Sequence, residues 1–143
     1  NMGIYNVSKH AVVSLTETLY QDLQLVSDQV SASVLCPYFV PTGISQSHRN
    51  RPADLAAEKP TASQLIGQAQ SDKAVGSGKV SAADVAQKVF DAVASGQFYI
   101  YSHPQALGNV QSRMEAIVMG HNPPDPFAAK PEIGVALKAA LRA

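Results

Sequence analysis

The sequence predicts an α/β fold with a parallel strand. Three observations carry that expectation. An uninterrupted apolar repeat of period four opens the chain, a short β-run follows it directly, and a second helix–strand pair stands further on.

The opening segment, 4 to about 26, reads as one long amphipathic helix. Val7, Ala11, Leu15, Leu19 and Leu23 recur every four positions, with Val12 and Thr16 beside them. Ser8, Ser14, Thr18, Gln21 and Asp22 take up much of the rest, and no Pro or Gly interrupts. At about 1.5 Å per residue the helix spans on the order of 35 Å. The next run, 30–36, places Val30, Ala32, Val34 and Cys36 on one face before Pro37, the pattern of a strand buried on at least one side.

Periodicity is lost over 41–80, which holds Pro41, Gly43, Pro52, Pro60, Gly67, Gly76 and Gly78. One short helical stretch, Ser63 to Ala69, is expected inside an otherwise irregular loop. A loop of this length in a compact domain is expected to be a lid, a binding loop or a disordered segment. Order returns at Ser81-Ala82-Ala83-Asp84, a capping-box-like start, and Gly96 is a good stop, so a helix is expected over 82–95. A strand at 97–101, a helix from about Pro104 to Met119 and a short helical run from Glu132 to Arg142 complete the chain. No internal repeat is visible, and no linker divides 1–143 into two domains.

Composition excludes several classes. The chain is 45% hydrophobic and 15% charged, as an ordinary globular protein is, and its eleven basic and eleven acidic residues cancel. No basic stripe points to nucleic acid or an anionic membrane surface. No apolar run approaches the roughly 18 residues of a membrane span. The lone Cys36 cannot form an internal disulfide, so a reducing, cytoplasmic setting is expected. His10, His48, His103 and His121 lack metal-ligand spacing, and no metal is expected. Met2 is not the first residue and patterned sequence begins almost at once, as expected of a chain that starts inside a domain.

The chemistry lies in Tyr5-Asn6-Val7-Ser8-Lys9. Residues four apart share a helix face. A phenol with a pKa near ~10 is a poor acid or base at neutral pH, and a neighbouring ammonium favours the phenolate. Tyr5 and Lys9 together therefore form a candidate proton-transfer centre, and Lys9 has donors enough to bind a sugar diol as well. In most helices, though, such a pair is only a solvated surface contact.

The surroundings are more specific. Tyr5-Asn6-Val7-Ser8-Lys9-His10-Ala11 resembles the Tyr-x-x-Ser-Lys-x-Ala motif of the short-chain dehydrogenase/reductase family. There the motif opens a long helix, followed by a strand and a Pro-Gly-x-Val-x-Thr turn. Pro37-Tyr38-Phe39-Val40-Pro41-Thr42 stands at the matching place, with Tyr38 where the family has Gly. A variable substrate loop, a helix and a last core strand then follow in the family, as 41–80, 82–95 and 97–101 do here. The resemblance covers roughly 1–103.

It implies a doubly wound parallel-sheet Rossmann-type fold, of which 1–143 is the C-terminal part. Catalytic helix and strand would occupy 1–40, a substrate lid 41–80, a helix and last strand 81–103, and a helical tail 104–143. It further implies an NAD(P)-dependent oxidoreductase passing hydride between a nicotinamide and an alcohol or carbonyl carbon. Tyr5 would be the general acid/base. Lys9 would bind the nicotinamide ribose and favour the Tyr5 phenolate. Pro37 and Val40 would lie against the nicotinamide, and Thr42 would bond its carboxamide or the pyrophosphate. NAD cannot be told from NADP, because the residue that reads the ribose lies in the other half. That half would also hold the glycine-rich loop and the catalytic Ser, so the chain alone is expected to be inactive. Gly76-Ser77-Gly78-Lys79 follows no apolar strand and is only a superficial echo of a phosphate loop.

The substrate is expected to be a small apolar alcohol or carbonyl compound, from Leu55, Leu65, Ile66 and Val75 in the loop. The partners are otherwise further copies of the protein, as a homodimer or homotetramer built partly on the wide apolar face of helix 4–26. The competing reading is a non-catalytic binding or assembly module on the same fold. Cys36, Tyr99 and Tyr101 are read as packing.

Overall fold

The computed structural model describes residues 2–56 and 59–142. Residues 57 and 58, inside the expected 41–80 loop, and the two terminal residues lie outside them. Two compact units divide at Ser102 and His103.

In the first unit, α1 covers Gly3–Val26, as the four-residue repeat requires. β1 covers Val34–Cys36, and β2 covers Tyr99–Tyr101. They pair in parallel, Val34 with Tyr99, Leu35 with Ile100 and Cys36 with Tyr101. Parallel neighbours need a long crossover, and the chain between them supplies it. That crossover holds a 3-10 helix at Gly43–Asn50 kinked at Gln46, a shorter one at Ala53–Leu55, α2 at Ala62–Gly76 and α3 at Ala82–Ser95.

Both strands are shorter than the β-patterns of 30–36 and 97–101. Ser33 Oγ donates to the Gln97 carbonyl at 2.8 Å, and the first backbone rung is Val34 N–H to Phe98 O. Gln97 itself belongs to the end of α3. Its N–H reaches back to Ala92 O, and Gly96 sits at φ 70° between them. This Schellman cap needs the left-handed conformation that glycine adopts without a Cβ penalty.

The 41–80 segment is more ordered than its composition predicts. α2 runs fifteen residues rather than the expected seven. Its start is a complete capping box: Gln64 N–H donates to Thr61 Oγ1, and Thr61 N–H donates to Gln64 Oε1 at 2.8 Å. Gly67 costs about 1 kcal/mol against alanine but does not break a helix capped this well. The same motif opens α3, where Ser81 and Asp84 bond reciprocally.

The core of this unit is small. Val34, Val85, Ala92 and Ile100 are buried, with Ser102 beside them. No residue of α1 is buried, and Ile4, Val7, Leu15 and Leu25 are largely exposed.

The second unit holds a 3-10 turn at Pro104–Leu107, α4 at Gly108–Val118 and α5 at Pro131–Arg142. α4 ends at Gly120 as α3 ends at Gly96, with His121 N–H on Ala116 O. Between the helices, Asp125 Oδ1 accepts from Phe127 N–H, and the Phe127 ring lies against Gly134.

Candidate active site

α1 carries Tyr5 and Lys9, and its direction decides where they stand. Tyr99 donates to Glu17 Oε1 at 2.6 Å, and the Tyr20 and Phe98 rings meet edge to face at 4.9 Å. Rising numbers on the helix therefore meet falling numbers on the strand. α1 runs antiparallel to β2, and its N-terminal turns lie toward the carboxyl end of the parallel strands. The 37–42 turn leaves β1 at that same end. In open α/β sheets, ligands bind outside the carboxyl ends of the strands.

Lys9 Nζ lies 5.2 Å from the centre of the Tyr5 ring, so the ammonium and the phenol share one side of α1 as their spacing requires. Both are exposed. Ser8, between them, turns its hydroxyl back to the Tyr5 carbonyl at 2.7 Å and is part of the helix wall. His10 does the same, its Nδ1 lying 2.9 Å from Asn6 O.

The turn is held from two sides. Tyr38 N–H donates to Ser102 Oγ at 2.8 Å, and Ser102 is fully buried directly after β2. Gly78 presses on the other side. A Cβ there would stand 2.4 Å from the Phe39 carbonyl oxygen and 2.8 Å from Pro41 Cδ. The glycine read as an echo of a phosphate loop thus permits a close backbone approach that shapes the turn. Within the turn, the Tyr38 and Phe39 rings pack at 4.4 Å. Pro37 is exposed and Val40 half-buried. Thr42 caps the 3-10 helix, its Oγ1 accepting from Ile44 N–H at 3.4 Å. Accepting that bond leaves the hydroxyl proton to donate elsewhere.

The other titratable groups near the sheet serve packing. Burial pushes the Cys36 thiol up from its ordinary value, and the Glu17 carboxylate adds to the rise. A thiol kept protonated is a poor nucleophile. The hydrogen bond to Glu17 raises the Tyr99 phenol, so it stays a donor, and burial raises Tyr101. Among the described residues no cluster of three His, Cys, Asp or Glu could hold a metal, and no helix is long and apolar enough to cross a membrane.

Sequence reading missed Glu17, Ser102 and Gly78. Only Gly78 left a local signal, as a glycine in the Gly76-Ser77-Gly78-Lys79 run. The partners of the other two lie 82 and 64 residues away.

No family model matches the chain. It is 31% identical over 121 residues to the CLA biosynthesis dehydrogenase/reductase of Lactiplantibacillus plantarum, spanning 82% of this chain and 42% of that protein. A solved short-chain dehydrogenase/reductase from Burkholderia phymatum, in complex with NAD, superposes with a TM-score of 0.86 at 53% identity, over 90% of this chain and 46% of that one. This chain belongs to the short-chain dehydrogenase/reductase family. It spans a little under half the length of either relative. Its parallel strands and covering helices form part of the doubly wound Rossmann-type fold of that family.

Proposed function

We propose that this chain carries the acid/base half of an NAD(P)-dependent oxidoreductase that interconverts an alcohol and a ketone or aldehyde. One observation carries the reading: the Tyr5–Lys9 pair, with 5.2 Å between ammonium and ring centre, at the carboxyl end of a parallel sheet.

The groups present suit a nicotinamide dinucleotide. An exposed ammonium has three donors for a ribose diol, and Thr42 keeps a proton to give to a carboxamide or phosphate oxygen. The Burkholderia relative's complex with NAD supports the same cofactor class. When bound, the cofactor supplies the donor or acceptor of hydride. Tyr5 moves the matching proton to or from the substrate oxygen. Lys9 favours the phenolate and holds the ribose hydroxyls. Pro37 and Val40 flank the nicotinamide, Val40 through its main chain. Tyr38, in place of the family's glycine, puts a side chain beside the substrate.

The small-molecule substrate lies along the groove between the 37–42 turn and α2, where Pro41 and Val75 offer apolar surface. The family's glycine-rich loop and catalytic serine are not among these 143 residues, so the complete protein supplies them and this chain alone does not turn over. We place that protein in the cytoplasm, where Cys36, the one cysteine of these 143 residues, stays reduced. The exposed apolar side of α1 fits a homodimer or homotetramer.

Tyr5→Phe in the complete protein tests the reading. The variant keeps the ring under Lys9 and loses only the hydroxyl. Turnover is expected to fall about a hundredfold to ten-thousandfold, with cofactor affinity retained. Undiminished turnover would remove Tyr5 as the proton donor.

A further inference from the structure

A second cavity, of about 380 Å³, opens on the seam between the 3-10 helix Gly43–Asn50 and α2. Ser47, His48, Asn50, Arg51 and Gln68 line it. Every lining side chain bears hydrogen-bonding groups, and none is acidic. Between Asp28 and Asp54 the only charged or titrating side chains, apart from Cys36 and Tyr38, are His48, Arg49 and Arg51. Among the described residues no carboxylate pairs with any of these three. Arg49 is held aside: its Nη1 donates to Gln46 Oε1 at 3.4 Å, and its guanidinium lies over Gly43. Arg51 and His48 are left facing the cavity.

The seam is a built one. Gln68 Nε2 donates to Ser45 O at 2.6 Å and to Asp72 Oδ1 at 2.9 Å. The first bond ties α2 to the 3-10 helix. The second occupies Asp72, which lines the neighbouring groove and not this cavity. That groove, about 510 Å³, runs from Pro41 and Thr42 past Ser45 and Gln46 to Val75. Gln68 of the cavity and Asp72 of the groove stand one turn apart on α2 and are hydrogen-bonded, and Ser45–Gln46 and Ser47–His48 are successive on the 3-10 helix, so groove and cavity adjoin along the seam. One end touches the turn assigned to the nicotinamide, its walls include Pro41 and Val75, and the far end offers a guanidinium and an imidazole.

We infer that the substrate carries an anionic group at the end remote from its reacting carbon, and that Arg51 and His48 receive it. The guanidinium offers paired donors whose fork matches a carboxylate or a phosphate. The inference rests on the proposed oxidoreductase reading for the direction of the substrate, though not for the anion site itself. It narrows the substrate from an apolar alcohol to a hydroxy or oxo compound with an apolar chain and a charged end.

Calorimetry on the complete protein tests it, with decanoate, decyl phosphate and decanol as probes against wild type, Arg51→Gln and Tyr5→Phe. At least one anionic probe is expected to bind more tightly than decanol. Arg51→Gln is expected to weaken that probe about tenfold to a hundredfold, the loss of one charge-assisted contact, and to leave decanol alone. Whichever anion binds identifies the headgroup. Anions that bind no better than decanol, or equally well in Arg51→Gln, overturn the anion site. If Arg51→Gln abolishes anion binding while Tyr5→Phe keeps full turnover, the site stands and the Tyr5 reading fails alone.

Discussion

Tyr99 donates its phenol to Glu17 at 2.6 Å, and this bond joins the middle of α1 to the last strand. With the Tyr20–Phe98 ring contact it sets the direction of the helix that bears Tyr5 and Lys9. The Glu17 carboxylate also adds to the rise of the Cys36 thiol, after burial.

That charge has a measurable consequence. Glu17→Gln removes the smaller cause of the Cys36 shift and leaves the larger. The pH midpoint of Cys36 alkylation is expected to move down in the variant yet stay above the ordinary 9.0. An unmoved midpoint would dissociate Glu17 from the thiol.

Gly78→Ala drives a methyl group into the Phe39 carbonyl, where 2.4 Å is available. Rigid backbone cannot yield as a side-chain tip does. The variant is expected to lower the melting temperature of the complete protein and to raise its KM for the cofactor by displacing the turn. Gly108→Ala is the control. Nothing stands within 4 Å of its Cβ position, and alanine favours the helix by up to about 1 kcal/mol.

The cap of α3 titrates. Hydrogen bonds from Ser81 hold the Asp84 carboxyl below the ordinary 3.8. A carboxyl whose folded value is depressed stabilises the fold above its unfolded value, and the contribution is lost as pH falls through the folded value. Amide exchange in the first turn of α3 should therefore quicken as pH drops below 3.8, relative to the rest of the helix. Asp84→Ala should show fast exchange there at every pH.

Lys9→Met keeps an unbranched apolar stem as far as Cε and removes the ammonium. Both a weaker affinity for the cofactor and a lower kcat are expected, because the ammonium is assigned to the ribose and to the phenolate together. A variant that changed KM alone would confine Lys9 to binding.

Much of the local structure was legible in the sequence. A repeat of Val7, Ala11, Leu15, Leu19 and Leu23, sustained over so many residues without alternation, favours a helix, and α1 follows it nearly to the residue. Ser81 and Asp84 announced the start of α3, and Gly96 its end. Thr61-x-x-Gln64 carried the same signal for α2, but the prolines and glycines around it concealed a helix twice the expected length. The strands were over-read because alternation marks what can pair. A backbone ladder extends only where a neighbour lies at hydrogen-bonding distance, and Gln97 was taken by the α3 cap.

The motif residues were legible for the same local reason, since Tyr5 and Lys9 are one helical turn apart wherever the helix goes. Spacing alone settles which residues share a side of α1, that 3–26 and 82–95 are helical, and where α3 stops. Only the folded chain decides that Glu17 meets Tyr99, that Ser102 holds Tyr38, that Gly78 abuts Phe39, and that Ser47, His48, Asn50, Arg51 and Gln68 line one open hollow. These relationships join residues tens of positions apart, and local periodicity carries no information about such distances. Those of Gly78 and the hollow arise when parallel pairing of β1 and β2 forces the intervening chain over the sheet and brings its parts together.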